Sequence, residues 1–205
     1  MTSSTYIFAG GGTGGHIYPA LAIAEHLARL EPDAEFKFIV SEREIDRQIL
    51  TQSELRGMIP HFVAIPALPF GGGISGLWKF RKAWKPSVVQ AGELIKTAKS
   101  HGRTHLVAMG GFVAAPAAAA AKAADVPITL VNIDAVPGKA NRLIARDAAR
   151  VLSTYKVAAF PTWQSIPPIV RSLAVAPFPP AQCRLKLGLL PDAPTLLITG
   201  ASQGA

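Results

Sequence analysis

The chain has almost no cysteine, little charge and no long apolar run. Cys183 is its single cysteine, which excludes an internal disulfide or a cysteine metal cluster and fits a reducing compartment. Charged residues make up 17% of the sequence and apolar residues 49%, a balance that excludes an intrinsically disordered protein. No apolar run reaches the roughly 20 residues of a transmembrane helix, and the first residues lack a secretion signal. We therefore expect a cytoplasmic protein.

What the sequence does have is glycine, concentrated in a turn near its start. Residues 6–9 are apolar and typical of a buried strand, and residues 17–30 carry apolar side chains at helical spacing. Between them lie five glycines and a threonine, which we call glycine loop 1 (residues 10–15). Such a turn lets the backbone approach a bulky group, and the positive end of the following helix dipole favours an anion. The segment therefore predicts a phosphate or pyrophosphate site.

The same loop allows a second interpretation. Its spacing, Gly10-x-Gly12-x-x-Gly15, satisfies the dinucleotide fingerprint, and Glu42 follows the expected second strand, where a ribose-binding acid could lie. An NAD-dependent oxidoreductase is therefore one alternative. Two features favour another class of protein: His16 follows the last glycine directly, and a similar turn recurs at residues 109–112, which we call glycine loop 2.

Strand-like and helix-like segments alternate along the first part of the chain. We expect strands at residues 35–40, 61–65, 105–108, 128–131 and 151–154, and helices at residues 87–100, 113–124 and 138–149. This alternation predicts an α/β fold with a doubly wound, parallel, Rossmann-like sheet. Both glycine loops would then lie at the carboxyl ends of strands, where such sheets bind their ligands.

Proline marks the expected end of this domain. Eight of the seventeen prolines lie between Pro161 and Pro194, in a stretch with almost no helical periodicity. We therefore expect a first domain at residues 1–158, a linker at residues 159–194, and the truncated start of a second domain, opening with a strand, at residues 195–205.

Basic and aromatic residues cluster after a flexible triple glycine at residues 71–73. Residues 78–99 contain six basic side chains against one acid, Glu93. Aromatic rings enter a membrane interface and cations meet anionic headgroups, so we predict a membrane contact here. Its residues are Trp78, Lys79, Phe80, Arg81, Lys82 and Trp84, with Lys85 beside them. The alternative is a core helix with a basic solvated face; nucleic acid is not an expected partner, since no nucleic-acid motif accompanies the charge.

Four segments carry a family resemblance. Residues 10–22, 109–113, 135–142 and 202–205 are similar, in order and spacing, to the signature segments of the MurG-like glycosyltransferases. The resemblance implies the N-terminal half of a two-domain GT-B enzyme. Such an enzyme moves N-acetylglucosamine from UDP-GlcNAc to a polyprenyl-pyrophosphate-linked muramoyl peptide, with inversion and without a metal or other cofactor. It also implies a peripheral protein on the cytoplasmic side of the plasma membrane, and a 205-residue chain that is inactive alone.

The resemblance also implies residue roles. Substrate contacts are expected at Thr13, Gly14, Gly15, Gly110, Gly111, Asp134, Asn141, Arg171 and Ser202. His16 is the candidate catalytic residue: a helix N-terminus keeps an imidazole neutral, so His16 could act as a base or bind a phosphate. The alternative is a histidine that only caps or packs.

Three positions depart from the family pattern. Asn132 stands where the family has glutamate, Asp134 where it has asparagine, and Phe112 where tyrosine is usual. Asn132 cannot act as a base, and Asp134 would add a negative charge near phosphates. These departures leave two alternatives open: a divergent lipid glycosyltransferase with another acceptor or sugar, and a chain that only binds a lipid pyrophosphate.

Overall fold

A computed structural model describes residues 4–198 and divides after Arg171 into two units. The first unit is built on one sheet of seven strands in the order β3-β2-β1-β4-β5-β6-β7. The strands are β1 (Ser4–Ala9), β2 (Glu35–Ser41), β3 (His61–Ile65), β4 (Arg103–Ala108), β5 (Ile128–Asn132), β6 (Arg150–Ser153) and β7 (Gln164–Ser165). All neighbouring strands pair in parallel. The predicted doubly wound α/β fold is confirmed.

Both faces of the sheet are buried. Along β1, Ile7 packs into one apolar cluster and the next residue, Phe8, into another, because successive strand side chains point to opposite faces. Helices cover the two faces. They are α1 (Gly14–Leu30), α2 (Glu44–Thr51), α3 (Gly73–His101), α4 (Gly111–Ala123) and α5 (Lys139–Ile144). The alanine-rich α4 supplies small side chains to the first cluster, where it packs against α3.

Three helices differ from expectation. α3 was expected only from residue 87, after Pro86, but it runs through that proline from Gly73. Pro86 is exposed and removes one helical hydrogen bond, while the next residue, Ser87, donates its hydroxyl to the Ala83 carbonyl at 2.8 Å. α2 was not expected at all, and α5 ends at Ile144 rather than at residue 149. The chain turns after Ile144, and the Ala149 amide bonds the Ile128 carbonyl of β5.

The second unit begins at Ser172 and contains α6 (Pro180–Lys186), a helix in the stretch expected to be a helix-free linker. The strand expected from residue 195 is not formed at residues 195–198, where Leu196, Leu197 and Ile198 are exposed. The rest of that predicted segment, with Ser202, lies outside the described residues. Within residues 4–198, no helix is long and apolar enough to cross a membrane.

Candidate functional site

A cavity of about 540 Å³ lies at the carboxyl edge of the sheet. Its wall includes glycine loop 2, which follows β4, the segment between β5 and α5, and His16, which comes directly after glycine loop 1. The cavity is lined by His16, Pro69, Phe70, Phe80, Trp84, Gly111, Phe112, Ala115, Asp134, Gly138, Lys139, Ala140, Asn141 and Leu143. The structure thus brings residues from four helices and two loops to the edge where the sequence predicted a ligand.

The His16 imidazole lies between the two glycine loops. His16 is in the first turn of α1, and a Cβ added to Gly111 would stand 3.2 Å from its Cε1. Both ring nitrogens are buried and have no hydrogen-bond partner. Burial lowers the pKa of His16, while the negative charges of Asp134 and Asp46 oppose that shift. The ring is therefore uncharged at neutral pH, and neither nitrogen has a hydrogen-bond partner.

Glycine loop 1 is fixed by a buried carboxylate that the sequence did not reveal. Asp46 of α2 is fully buried and accepts hydrogen bonds from the Gly12 amide at 2.7 and 2.9 Å. It also accepts the amide and hydroxyl of Ser41, at the end of β2, at 3.0 and 2.5 Å. Glu42, the acid proposed to bind ribose, is exposed and does not line the cavity. Nothing in the sequence separates Asp46 from the exposed acids beside it.

Arg43 connects the first loop to the second. Its Nη1 donates to the Gly12 carbonyl at 2.8 Å, and its guanidinium lies 5.2 Å from the centre of the Phe112 ring. Phe112 in turn fills the space beside Gly12: a Cβ on Gly12 would collide with the ring. Gly12 also has φ +86, a conformation that favours glycine.

A chain of amides orients Asn141, the residue of α5 that faces loop 2. Asn141 Nδ2 donates to Asn132 Oδ1 at 2.8 Å, and Asn132 Nδ2 donates to Ser153 Oγ at 2.9 Å and to the Asp134 carbonyl at 2.8 Å. Asn132 is fully buried, so it acts as a connector rather than as a base. The remaining atom, Asn141 Oδ1, is buried without a partner. Asp134 Oδ2 lies 3.4 Å from Asn141 Nδ2.

The outer part of the cavity is aromatic. The Phe80 ring contacts Phe70 at 5.8 Å and Trp84 at 5.5 Å between centroids. Lys139 lies with its Nζ 5.4 Å from the centre of the Phe70 ring. This end of the site therefore presents apolar surface beside one ammonium group.

The predicted membrane residues fall on two faces of α3. Phe80 and Trp84 are half-buried and line the cavity. Trp78 is 68% exposed, and Lys79, Arg81, Lys82 and Lys85 are exposed as well. Ile74 and Leu77 are exposed beside Trp78, and we call these three residues the outer patch.

The predicted substrate residues are only partly gathered at the cavity. Gly111, Asp134 and Asn141 line it, and Gly110 packs against the Asn141 side chain. Thr13, Gly14 and Gly15 lie at the N-terminus of α1. Arg171 lies against a later turn of that helix, where its Nε and Nη2 donate to Glu25 Oε1 at 2.7 and 2.6 Å. No cluster that could hold a metal ion occurs within the part of the chain that is described.

Comparison with known proteins assigns a family to this arrangement. The model of the glycosyltransferase family 28 N-terminal domain matches residues 6–153. A relative from Leifsonia xyli subsp. xyli, named UDP-N-acetylglucosamine--N-acetylmuramyl-(pentapeptide) pyrophosphoryl-undecaprenol N-acetylglucosamine transferase, is 35% identical over 98% of this chain and 55% of its own length. A Streptomyces collinus protein of the same name is also 35% identical, over 97% of this chain and 54% of its own. The chain therefore spans about half the length of the curated relatives it matches.

A solved structure supports the fold. The crystal structure of Acinetobacter baumannii MurG aligns with a TM-score of 0.59 and 22% identity, covering 81% of this chain and 44% of that one. The chain thus shares its fold with that protein.

Proposed function

The chain belongs to glycosyltransferase family 28, and we propose that it forms the acceptor-binding half of a transferase that uses UDP-GlcNAc. The acceptor would be a polyprenyl-pyrophosphate-linked muramoyl peptide, in keeping with the names of the relatives from Leifsonia and Streptomyces. The observation that carries the proposal is a neutral histidine with two free ring nitrogens, held between two glycine loops.

His16 is proposed as the general base. An acceptor sugar hydroxyl bonds to the anomeric carbon of GlcNAc while the bond from that carbon to the β-phosphate oxygen of UDP breaks. The hydroxyl proton passes to an imidazole nitrogen, and UDP leaves with the electron pair of the broken bond. A histidine whose pKa is lowered is unprotonated at neutral pH, as this step requires. The N-termini of α1 and α4 both face the site and favour the charge that develops on the leaving phosphate.

The acceptor is proposed to occupy the cavity. Asn141 Oδ1, with its partnerless lone pairs, would accept a hydrogen bond from the acceptor sugar or peptide. Gly110, Gly111 and Asp134 would border the sugar. Phe70, Phe80 and Trp84 offer apolar surface to the first isoprene units, and Lys139 offers a positive charge to the pyrophosphate.

The donor is proposed to approach the N-terminus of α1. Thr13, Gly14 and Gly15 would contact the UDP-GlcNAc phosphates through backbone amides. Arg171 is proposed to bind the donor by exchanging its Glu25 partner for a phosphate. Ser202, outside the described residues, is proposed as a further donor contact.

The outer patch is proposed to meet an anionic membrane. Ile74, Leu77 and Trp78 would enter the interface, and Arg81, Lys82 and Lys85 would meet headgroups. The protein would then be peripheral, on the cytoplasmic face where the lipid-linked acceptor is presented.

The test joins this chain to the C-terminal part of a relative, which this chain does not span. We would fuse the 205 residues to the remaining C-terminal part of the Leifsonia protein and measure transfer of labelled GlcNAc to a short-chain polyprenyl-pyrophosphate muramoyl peptide. His16→Ala should lower turnover by about 10²-fold if the imidazole is the base. His26→Ala, an exposed histidine on the same helix, is the matched control and should retain full turnover.

Each outcome of this experiment has a meaning. Transfer that survives His16→Ala at an unchanged rate would refute the catalytic role. A loss of binding without a change in turnover at saturation would make His16 a phosphate ligand. If the chimera is inactive, binding of the acceptor to the 205-residue chain, followed through tryptophan fluorescence, decides whether this half takes the acceptor.

A second candidate function is a related transferase with another acceptor or sugar. The observation that favours it is the Asp134 carboxylate at the cavity wall, where its charge disfavours a phosphate. A panel of UDP-sugars and acceptors in the same chimera separates the two candidates, since the first predicts that UDP-GlcNAc and the muramoyl acceptor give the highest kcat/KM.

A further inference from the structure

We propose that Asp46 and Arg43 are positioning residues that hold the two glycine loops on either side of the His16 imidazole. The inference deepens the proposed function and rests on the role given there to His16. Neither residue lines the cavity, so both would act through the loops.

Asp46 fixes the backbone of glycine loop 1 from behind. Both of its oxygens accept hydrogen bonds from the Gly12 amide, and Oδ2 also accepts hydrogen bonds from the amide and the hydroxyl of Ser41. A fully buried carboxylate is costly unless donors surround it, so the loop and the end of β2 are held together around it. Gly11 also packs directly on this carboxylate, since a Cβ there would collide with Asp46 Oδ2.

This arrangement decides which amides remain for a ligand. The Gly12 amide already donates to the Asp46 carboxylate, so it is not available to an anionic ligand. The Gly10 amide is bonded to the Ile39 carbonyl of β2. An anionic ligand is therefore directed to the first turn of α1, beside His16, rather than to the centre of the loop.

Arg43 fixes the opposite side of the same peptide and reaches the second loop. Its Nη1 bonds the Gly12 carbonyl, and its guanidinium stacks near Phe112. Phe112 follows Gly111, the residue whose Cα lies against the His16 ring. Gly12 is thus held through its amide by Asp46, through its carbonyl by Arg43 and through its Cα by Phe112. The spacing of the loops around His16 follows from these three contacts.

Asp46 also acts on His16 through its charge. The carboxylates that face the imidazole are Asp46 of α2 and Asp134 before α5, and both raise its pKa against the effect of burial. Lys139 of α5 lines the same cavity, and Arg43 lies against the Phe112 ring. Removing the charge of Asp46 should therefore lower the pKa of His16 further.

The experiment compares Asp46→Asn with Glu44→Gln in the 205-residue chain. Glu44 lies in the same helical turn but is exposed, so it controls for the loss of one negative charge. We would titrate the His16 ring by NMR and measure binding of farnesyl pyrophosphate as the probe. Asp46→Asn should lower the His16 pKa and shift the Gly12 amide resonance. It should also weaken probe binding about tenfold or more, because the Gly12 amide loses its charged acceptor and the loop is no longer held in place. Glu44→Gln should leave the His16 titration unchanged and binding within about twofold.

Arg43 provides a test that does not disturb the core. Arg43→Lys keeps the charge and one donor but loses the planar stack on Phe112, and Arg43→Ala loses both. We expect the shift of the Gly111 and Phe112 resonances to grow from Arg43→Lys to Arg43→Ala, with an unchanged melting temperature to within a few degrees. If Asp46→Asn does not fold, the Arg43 series alone tests whether these residues position the loops.

The positioning role of Asp46 and Arg43 and the role of His16 as a base are overturned by different results. Unchanged His16 and loop resonances in folded Asp46→Asn and Arg43→Ala would overturn the positioning role, whatever the chimera transfers. Full transfer by the His16→Ala chimera would overturn the role of the base, while the resonance shifts would still establish that these residues place the loops.

Discussion

Polar side chains at the amino ends and at the carboxyl ends of the strands differ in whether they have hydrogen-bond partners. At the amino edge, polar groups are paired within the protein: Tyr6 donates to Glu31 at 2.6 Å, and His105 Nε2 lies 2.8 Å from Thr129 Oγ1. At the carboxyl edge, His16 and Asn141 keep buried polar atoms that have no partner. A buried polar atom without a hydrogen bond costs roughly 1–3 kcal/mol.

This contrast separates polar residues that are paired within the fold from residues whose buried polar atoms have no partner. Burial lowers the pKa of both His16 and His105, so the pKa shift alone does not distinguish them. Their hydrogen bonds do. A protein retains an unsatisfied buried group where function requires it, at the expense of stability.

The largest expected effect comes from glycines with positive φ, one at each edge. Gly12→Ala forces a Cβ into the Phe112 ring in a strained conformation and should lower the free energy of unfolding by about 3 kcal/mol. Gly57→Ala meets nothing within 4 Å and should cost only about 1 kcal/mol of backbone strain. Urea unfolding measures both. Equal costs would mean that Phe112 moves freely and that the loops are not held.

A smaller effect is expected from Arg56 at the amino edge. Its guanidinium donates to the carbonyls of Ala28, Glu31 and Ala34 and stacks on Phe36. Arg56→Ala should destabilise the protein by about 1–2 kcal/mol, because carbonyls at the end of α1 lose their donors. Farnesyl pyrophosphate binding should not change. A change in binding with little loss of stability would contradict the division between the edges.

Replacing the two histidines should give effects of opposite sign. His16→Leu removes two unsatisfied nitrogens and should raise the free energy of unfolding by about 1 kcal/mol while it abolishes function. His105→Leu leaves Thr129 without its partner and should lower the free energy of unfolding by about 1 kcal/mol. Thermal and urea unfolding of the two variants make the comparison. Destabilisation of similar size in both would show that His16 is a structural residue.

The smallest expected effect is on the pH dependence of stability. Both histidines have a pKa below 6.5 in the folded protein, so the unfolded chain binds more protons just below that pH. Their contribution to stability is complete above about pH 6.5 and is lost as the pH falls toward the folded pKa. His16→Leu should reduce this slope between pH 5 and 7. An unaltered slope in His16→Leu would show that the ring is not desolvated.

The sequence predicted the sheet well because strand signals are local. Short β-branched runs, such as the one in β5, and glycine after a strand are enough to order the strands and to locate the ligand edge. The same local reasoning misplaced the start of α3 at residue 87, because one exposed proline costs less than the packing of a long helix provides.

The candidate site was predictable only where its chemistry lies in a motif. His16 and the glycines stand out in the sequence, whereas Asp46 and Ser153 act across 34 and 21 residues of chain, respectively, through hydrogen bonds. Asn132 illustrates the limit. Compared with the family pattern it lacks a carboxylate, but in the structure its amide both donates and accepts, and so orients Asn141.

The length of α3 has a mechanical consequence. Trp78 points outward and Phe80 points into the cavity, two residues and about 200° apart on one continuous helix. A rigid rod cannot move one of these rings without the other. A displacement of this part of α3 would therefore move Trp78 of the outer patch and Phe80 of the cavity wall together.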